Sequence, residues 1–196
     1  MKGKSQQKFS LPQTAEIKKV YQKARYRKRF METIRSTIFM FIVVAAFAVL
    51  VAVLFLPILR IYGKSMRGTL DRGDVVVSVK SSHFETGDIV AFYYNNNILV
   101  KRVIAEAGDW VDMKDDGTVY VNQTKLKEPY LKHKAYGQTN IKFPYQVPED
   151  RIFVMGDNRE VSIDSRNTSI GTVSDEQIVG KLVFKIWPLS EIGVIE

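Results

Sequence analysis

The most prominent pattern in the chain is the nineteen-residue run from Ile38 to Leu56, IFMFIVVAAFAVLVAVLFL, which contains no charge and no hydrogen-bonding side chain. As a helix rising 1.5 Å per residue it spans roughly 28 Å, about the hydrocarbon thickness of a bilayer. It is apolar all round instead of along one stripe, which separates a membrane span from a core helix. The predicted transmembrane helix covers residues 36–59. A cleavable signal peptide is not predicted, because the run is long, lies far from Met1 and is followed by Pro57-Ile58-Leu59-Arg60 with no small-residue cleavage pattern.

Beyond residue 60 the pattern changes to short runs rich in β-branched and aromatic residues, separated by turn signals. Strands are predicted at Val75 to Val79, Ile89 to Tyr94, Ile98 to Ala105, Val119 to Val121, Ile152 to Met155 and Lys181 to Ile186. Asn95-Asn96-Asn97 marks a turn, and Asp116-Gly117 predicts a two-residue hairpin turn with both central residues at positive φ. The stretch at about 112–150 is more polar and reads as a small inserted subdomain. The fold class is therefore mainly β: one β domain over 60–196, preceded by a single N-terminal transmembrane helix.

Charge refines this picture. The chain carries +8 overall, but Met1 to Arg35 holds eleven Lys/Arg against Glu16 and Glu32, which is +9 and leaves −1 for the rest. A near-neutral body with one basic arm does not have the electrostatic footprint of a duplex-binding domain, so nucleic acid is not a predicted partner. Basic residues before the span orient it with the N-terminus cytoplasmic and the body extracytoplasmic. Residues 1–35 form a basic cytoplasmic segment, and Thr14 to Arg35, lacking Pro and Gly, is predicted as a basic helix on anionic membrane lipid. A membrane-anchored regulatory protein would rest on this arm alone, which the topology already explains. Cysteine is absent and only His83 and His133 are present, so thiolate chemistry, a His metal site and a Ser-His-Asp triad all lack candidates.

Three clusters carry candidate chemistry. Ser65 lies in Tyr62-Gly63-Lys64-Ser65-Met66-Arg67-Gly68-Thr69-Leu70, close after the span, where a membrane-tethered substrate is presented. A serine hydroxyl needs a base, and a neutral lysine can serve. Lys101, in Ile98-Leu99-Val100-Lys101-Arg102-Val103-Ile104, sits in a run predicted to be buried on both faces, where desolvation disfavours the ammonium. Arg102 stays protonated and cannot take that role. Pattern alone leaves open a salt-bridged Lys-Arg pair on an edge strand. The third cluster runs from Met155 to Arg166, with Gly156, Asp157, Asn158, Arg159, Ser162, Asp164 and Ser165 making a polar loop of side-chain to backbone bonds. Its arginines interrupt any calcium-loop spacing, and no metal site is predicted. Ser162 is positioned to orient a lysine amine, with Asp164 and Arg166 bracing the loop.

Ser65-Met66-x-x-Thr69-Leu70, Gly87-Asp88-Ile89-Val90, Lys101-Arg102-Val103-Ile104 with Gly108-Asp109, and Gly156-Asp157-Asn158-Arg159-x-x-Ser162-x-Asp164-Ser165-Arg166 follow one another in the order of the bacterial type I signal peptidase boxes. The chain resembles that family, in its short single-span form, from about Tyr62 to Pro188. The resemblance implies a serine endopeptidase with a Ser-Lys dyad and no cofactor, removing signal peptides from exported preproteins at the outer leaflet, beside membrane lipid and the secretion translocase. It implies Ser65 as nucleophile, Lys101 as general base and Ser162 as the hydroxyl that orients the lysine. Asp157, Arg159, Asp164 and Arg166 match residues that hold the catalytic core together, and Ile61, Met66, Leu70 and Val100 match residues lining shallow pockets for small side chains. Two departures stand out. Gly68 replaces a usual Pro, which predicts a looser turn, and Gly63 stands where some relatives place a second oxyanion-hole hydroxyl. A non-cleaving assembly factor for surface or pilin proteins is the alternative reading, favoured only by Gly68.

Overall fold

The computed structural model describes residues 14–195, so residues 1–13 of the predicted basic segment lie outside the described part. The chain divides into two units at residues 52 and 53. The described part of the first is helical throughout and belongs to α1 (Thr14–Phe55, 42 residues), whose last residues fall in the second unit; the stretch from Ile17 to Val51 is long and apolar enough to cross a membrane. The basic stretch from Thr14 and the apolar run are one continuous helix, because no Pro or Gly lies between Thr14 and Pro57. Pro57 then disfavours helix at the residue before it, and α1 stops at Phe55 instead of the predicted 59.

The second unit is the β body. Its strands are β1 (Ile58–Arg60), β2 (Val75–Val79), β3 (Ile89–Tyr94), β4 (Asn97–Ala105), β5 (Trp110–Met113), β6 (Val119–Val121), β7 (Thr124–Lys125), β8 (Tyr145–Gln146), β9 (Arg151–Met155), β10 (Val173–Ser174), β11 (Ile178–Trp187) and β12 (Gly193–Val194). The main sheet runs β1-β2-β11-β3-β4-β9-β10, with β12 also on β11, and every pair in it is antiparallel. A smaller sheet, β7-β6-β5-β8, is the insertion. Its strands begin at Trp110 and end at Gln146, so the predicted boundaries of 112 and 150 cut through β5 and overrun β8.

Alternation along β3 explains the packing. Ile89 and Ala91 join Ile61, Met66, Leu70 and Val76 in one apolar cluster, while Val90 and Phe92 join Val103, Ile152 and Val154 in another. A third cluster, from Ile104 and Phe153 to Val111 and Val119, fastens the insertion to the main sheet. The Asp116-Gly117 hairpin forms, but not as a two-residue turn: Met113 pairs with Val119, leaving five residues between, and only Gly117 has positive φ. Two-residue turns with both φ positive occur instead at Asn95-Asn96 and Asn122-Gln123.

Candidate active site

Ser65 follows β1 on a tight turn in which Leu70 N–H donates to Met66 O at 2.8 Å. Met66 and Leu70 bury their side chains in the cluster with Ile61, which pins the turn and leaves Ser65 half-buried at its start. From the far side, Asn158 N–H donates to Ser65 O at 2.8 Å, tying the turn to the loop after β9. Gly156 allows this approach: a Cβ there would fall 2.5 Å from Ser65 O and closer still to Ser162 Oγ. A side chain at residue 156 would have to displace one of them.

Lys101 sits in β4 opposite Val90 and is 3% exposed. Its Nζ is hydrogen-bonded to Ser65 Oγ at 2.7 Å. Burial lowers the amine from 10.5 to about 8; the charges of Asp164 and Asp157 oppose that fall and Arg166 assists it. At neutral pH a usable fraction of this lysine is therefore unprotonated, which an exposed lysine is not. The both-face burial predicted for this run holds from Lys101 to Ala105, and the edge-strand alternative fails there because β9 covers β4 from Arg102 onward.

Around this pair stand three buried arginines. Arg102 Nε donates to Asp157 Oδ1 at 3.0 Å and its Nη2 to Oδ2 at 2.9 Å, while Thr69 Oγ1 donates to the same Oδ2 at 2.6 Å. Arg166 Nε and Nη2 donate to the two oxygens of Asp164 at 2.8 and 2.9 Å. Burial pushes the Asp164 carboxyl up, but the Arg166 hydrogen bonds and charge, with the Gly156 N–H, outweigh it and hold the carboxyl below its ordinary value. Arg159 pairs with Glu128 and donates from Nε to Gly156 O at 3.0 Å.

The sequence motifs thus bring Asp157, Asp164 and Arg166 within electrostatic reach of Lys101 and set Arg159 on Gly156 of the same loop, with partners that the motifs do not reveal. Glu128 and Tyr130 come from the insertion: the Tyr130 ring lies 3.9 Å from the Arg102 guanidinium carbon, and the carbonyls of Ala135 and Tyr136 accept from Arg166 Nη1. The segment from 128 to 136 therefore touches all three arginines. It has no hydrophobic period and no turn motif, so nothing local marked it.

Ser162 departs from expectation. Its side chain is fully buried against Asp164, whose carboxyl it helps to hold down, and no hydrogen bond joins its Oγ to the lysine amine. Leu70 also departs, since it is buried behind the turn and does not line the groove. Ile61, Met66 and Val100 do line it, together with Ser65 and Lys101, in a mostly apolar groove of about 970 Å³. At Gly63 a Cβ would sit 4.0 Å from both Ser65 N and Oγ, so a side chain there would reach the space an oxyanion takes. Gly68 has φ +117°, which proline cannot adopt; the turn is built differently and is not simply loosened.

Residues 32–187 match the model of the family described as signal peptidase, peptidase S26. The chain belongs to the S26 signal peptidase family. It is 41% identical to signal peptidase IB of Staphylococcus aureus, over 67% of this chain and 78% of that protein. Thylakoidal processing peptidase 1, chloroplastic, of Arabidopsis thaliana is 38% identical over 76% of this chain and 48% of its own length. The crystal structure of a signal peptidase I from Enterococcus faecalis aligns with a TM-score of 0.44 at 34% identity, covering 51% of this chain and 97% of that one.

Proposed function

We propose that this chain is a membrane-anchored serine endopeptidase that removes signal peptides from exported preproteins after small residues, with Ser65 as nucleophile and Lys101 as general base. One observation carries the reading: a lysine buried to 3% exposure, lowered to about 8, in hydrogen-bond contact with a serine hydroxyl, the two lining an apolar groove.

Unprotonated Lys101 takes the proton of Ser65 Oγ as the oxygen attacks the scissile carbonyl carbon. The Ser65 backbone N–H faces the developing oxyanion. When the C–N bond breaks, the Lys101 ammonium gives its proton to the leaving amine; the neutral Lys101 amine then deprotonates a water that attacks the acyl carbon, and the proton passes from Lys101 to Ser65 Oγ as the ester bond breaks. The groove suits an extended segment. β9 pairs with β4 only from Arg102, so Asn97–Lys101 present a free edge, and β1 pairs with β2 alone. A substrate strand adds to such edges through its backbone while its side chains enter pockets formed by Ile61, Met66 and Val100. Asp157, Arg159, Asp164 and Arg166 keep the walls of this site rigid.

Anchored by α1 with the basic end in the cytoplasm, the body works outside, beside lipid and the translocase that delivers its substrates. Ser65→Ala and Lys101→Ala are each expected to lower cleavage of a preprotein by roughly 10³-fold or more while expression and membrane insertion persist. Substantial cleavage by either variant, scored by gel shift of the precursor, overturns the dyad. A non-cleaving assembly factor would have no need of the Ser65–Lys101 contact, and the same assay separates it.

A further inference from the structure

The loop after β9 contains a residue, Asn158, that neither the dyad nor the buried arginine pairs use. Its backbone is fixed on both sides: Asn158 N–H donates to Ser65 O at 2.8 Å, and Asn158 O accepts from Ser162 N–H at 3.0 Å. Its side chain makes a further bond, from Nδ2 to Lys64 O at 3.2 Å. Only the amide nitrogen of an asparagine side chain can donate to a carbonyl oxygen, so the direction of this bond is set. Asn158 therefore engages the peptide units on both sides of the Ser65 side chain, through two separate bonds.

The bond to Lys64 O bears on the chemistry because that carbonyl shares a peptide plane with the Ser65 N–H. The Lys64–Ser65 bond is trans, since the cis bonds among the described residues precede Pro144 and Pro188. In a trans unit the C=O and the N–H point in opposite directions. Asn158 lines a surface recess with Arg67, Lys132 and Arg159, whereas Ser65 and Lys101 line the groove. Held by its oxygen from the side of the recess, the plane turns its N–H toward the groove. Among the described residues no acceptor takes that N–H, which leaves it to the oxyanion of the proposed reaction. A hydrogen bond accepted by the carbonyl also polarises the amide and strengthens its N–H as a donor. Gly63 offers no hydroxyl to share the task, so more of it falls on the orientation of this one N–H.

We infer that Asn158 is a positioning residue for the oxyanion hole: its side-chain amide, bonded to Lys64 O, aims the Ser65 N–H at the carbonyl oxygen under attack. The inference rests on Ser65 being the nucleophile. It gives the side chain a task apart from the backbone bond to Ser65 O, which any residue other than proline at 158 can keep. Charge develops on the carbonyl oxygen only in the transition state, so loss of the side chain lowers kcat and leaves KM in place. The amide bears no charge, so Lys101 titrates as before.

The test is cleavage of an Ala-x-Ala peptide by the full-length, detergent-solubilised protein carrying Asn158→Leu or Asn158→Ala, each alone and combined with Gly63→Ser. Each single variant is expected to lower kcat about 3- to 10-fold, the scale of one lost hydrogen bond, with KM and the midpoint of the rising pH limb unchanged. Gly63 does not have positive φ, and a Cβ there lies 4.0 Å from Ser65 N, so the hydroxyl of Gly63→Ser offers the oxyanion a second donor. Because that donor compensates a misaimed N–H, Gly63→Ser raises kcat by a larger factor in the Asn158 variants than in the wild type. Either Asn158 variant that folds, as thermal denaturation reports, decides the matter. Equal factors in the two backgrounds, a change confined to KM, a shifted pH midpoint or an undiminished kcat would overturn the inference and leave the dyad standing. Persistent cleavage by Ser65→Ala would instead overturn the reading on which it rests.

Discussion

Keeping Lys101 buried has a thermodynamic consequence that can be measured apart from catalysis. Lowering a lysine from 10.5 to about 8 corresponds to about 3 kcal/mol at 1.36 kcal/mol per pH unit. Below about pH 8 the folded protein holds an ammonium its surroundings disfavour, and the penalty is fully present. Between about 8 and 10.5 the folded form is already neutral while the unfolded chain still binds the proton, so stability rises with pH; above 10.5 the difference is gone. Lys101→Met keeps the volume and removes the charge. It is expected to abolish cleavage and yet raise stability at pH 7 by about 2–3 kcal/mol, with the gain fading by pH 10.5. Thermal denaturation at the two pH values checks this, and an equal effect at both would mean that burial does not tax the ammonium. Gly156 shows the same economy of space, since the oxygen of Ser65 and the hydroxyl of Ser162 occupy the room a side chain there would need.

At the scale of elements, the turn after β1 decides where Ser65 points. Gly68 has φ +117° within it, a conformation that L residues rarely adopt and proline cannot. Gly68→Pro is therefore expected to destabilise this chain by about 1–3 kcal/mol, where an unstrained substitution would have added about 0.4–1 kcal/mol. Denaturant titration distinguishes the signs. The longer strands were legible because β-branched residues alternate across a sheet covered on both faces, and β2, β3 and β6 fall where that pattern puts them. Two-residue strands such as β7, β8, β10 and β12 are too short to carry a period, and β1 was hidden in the tail of the apolar run. In the site, Ser65 and Lys101 were readable from chemistry and spacing. Glu128 and Tyr130 were not, because they reach Arg159 and Arg102 only through the tertiary path of the insertion.

For the molecule as a whole, the proposed orientation in a membrane rests on the placement of charge. Eleven Lys/Arg precede or enter the apolar run against two Glu, and the body after it carries −1. Moving the arm through the bilayer would bring those cations into hydrocarbon and away from anionic lipid, each worth about 1 kcal/mol at the inner surface, while the body meets no such bias. The continuity of α1 from Thr14 through Phe55 carries this charge step along a single helix, without a break at which the basic half could fold back independently. Protease added to intact spheroplasts expressing the full chain is expected to digest the segment after residue 60 and to leave an epitope fused before Met1 protected. Lysis should expose both. Protection of the body with loss of the N-terminal epitope would reverse the topology, and with it the side of the membrane on which Ser65 meets its substrate.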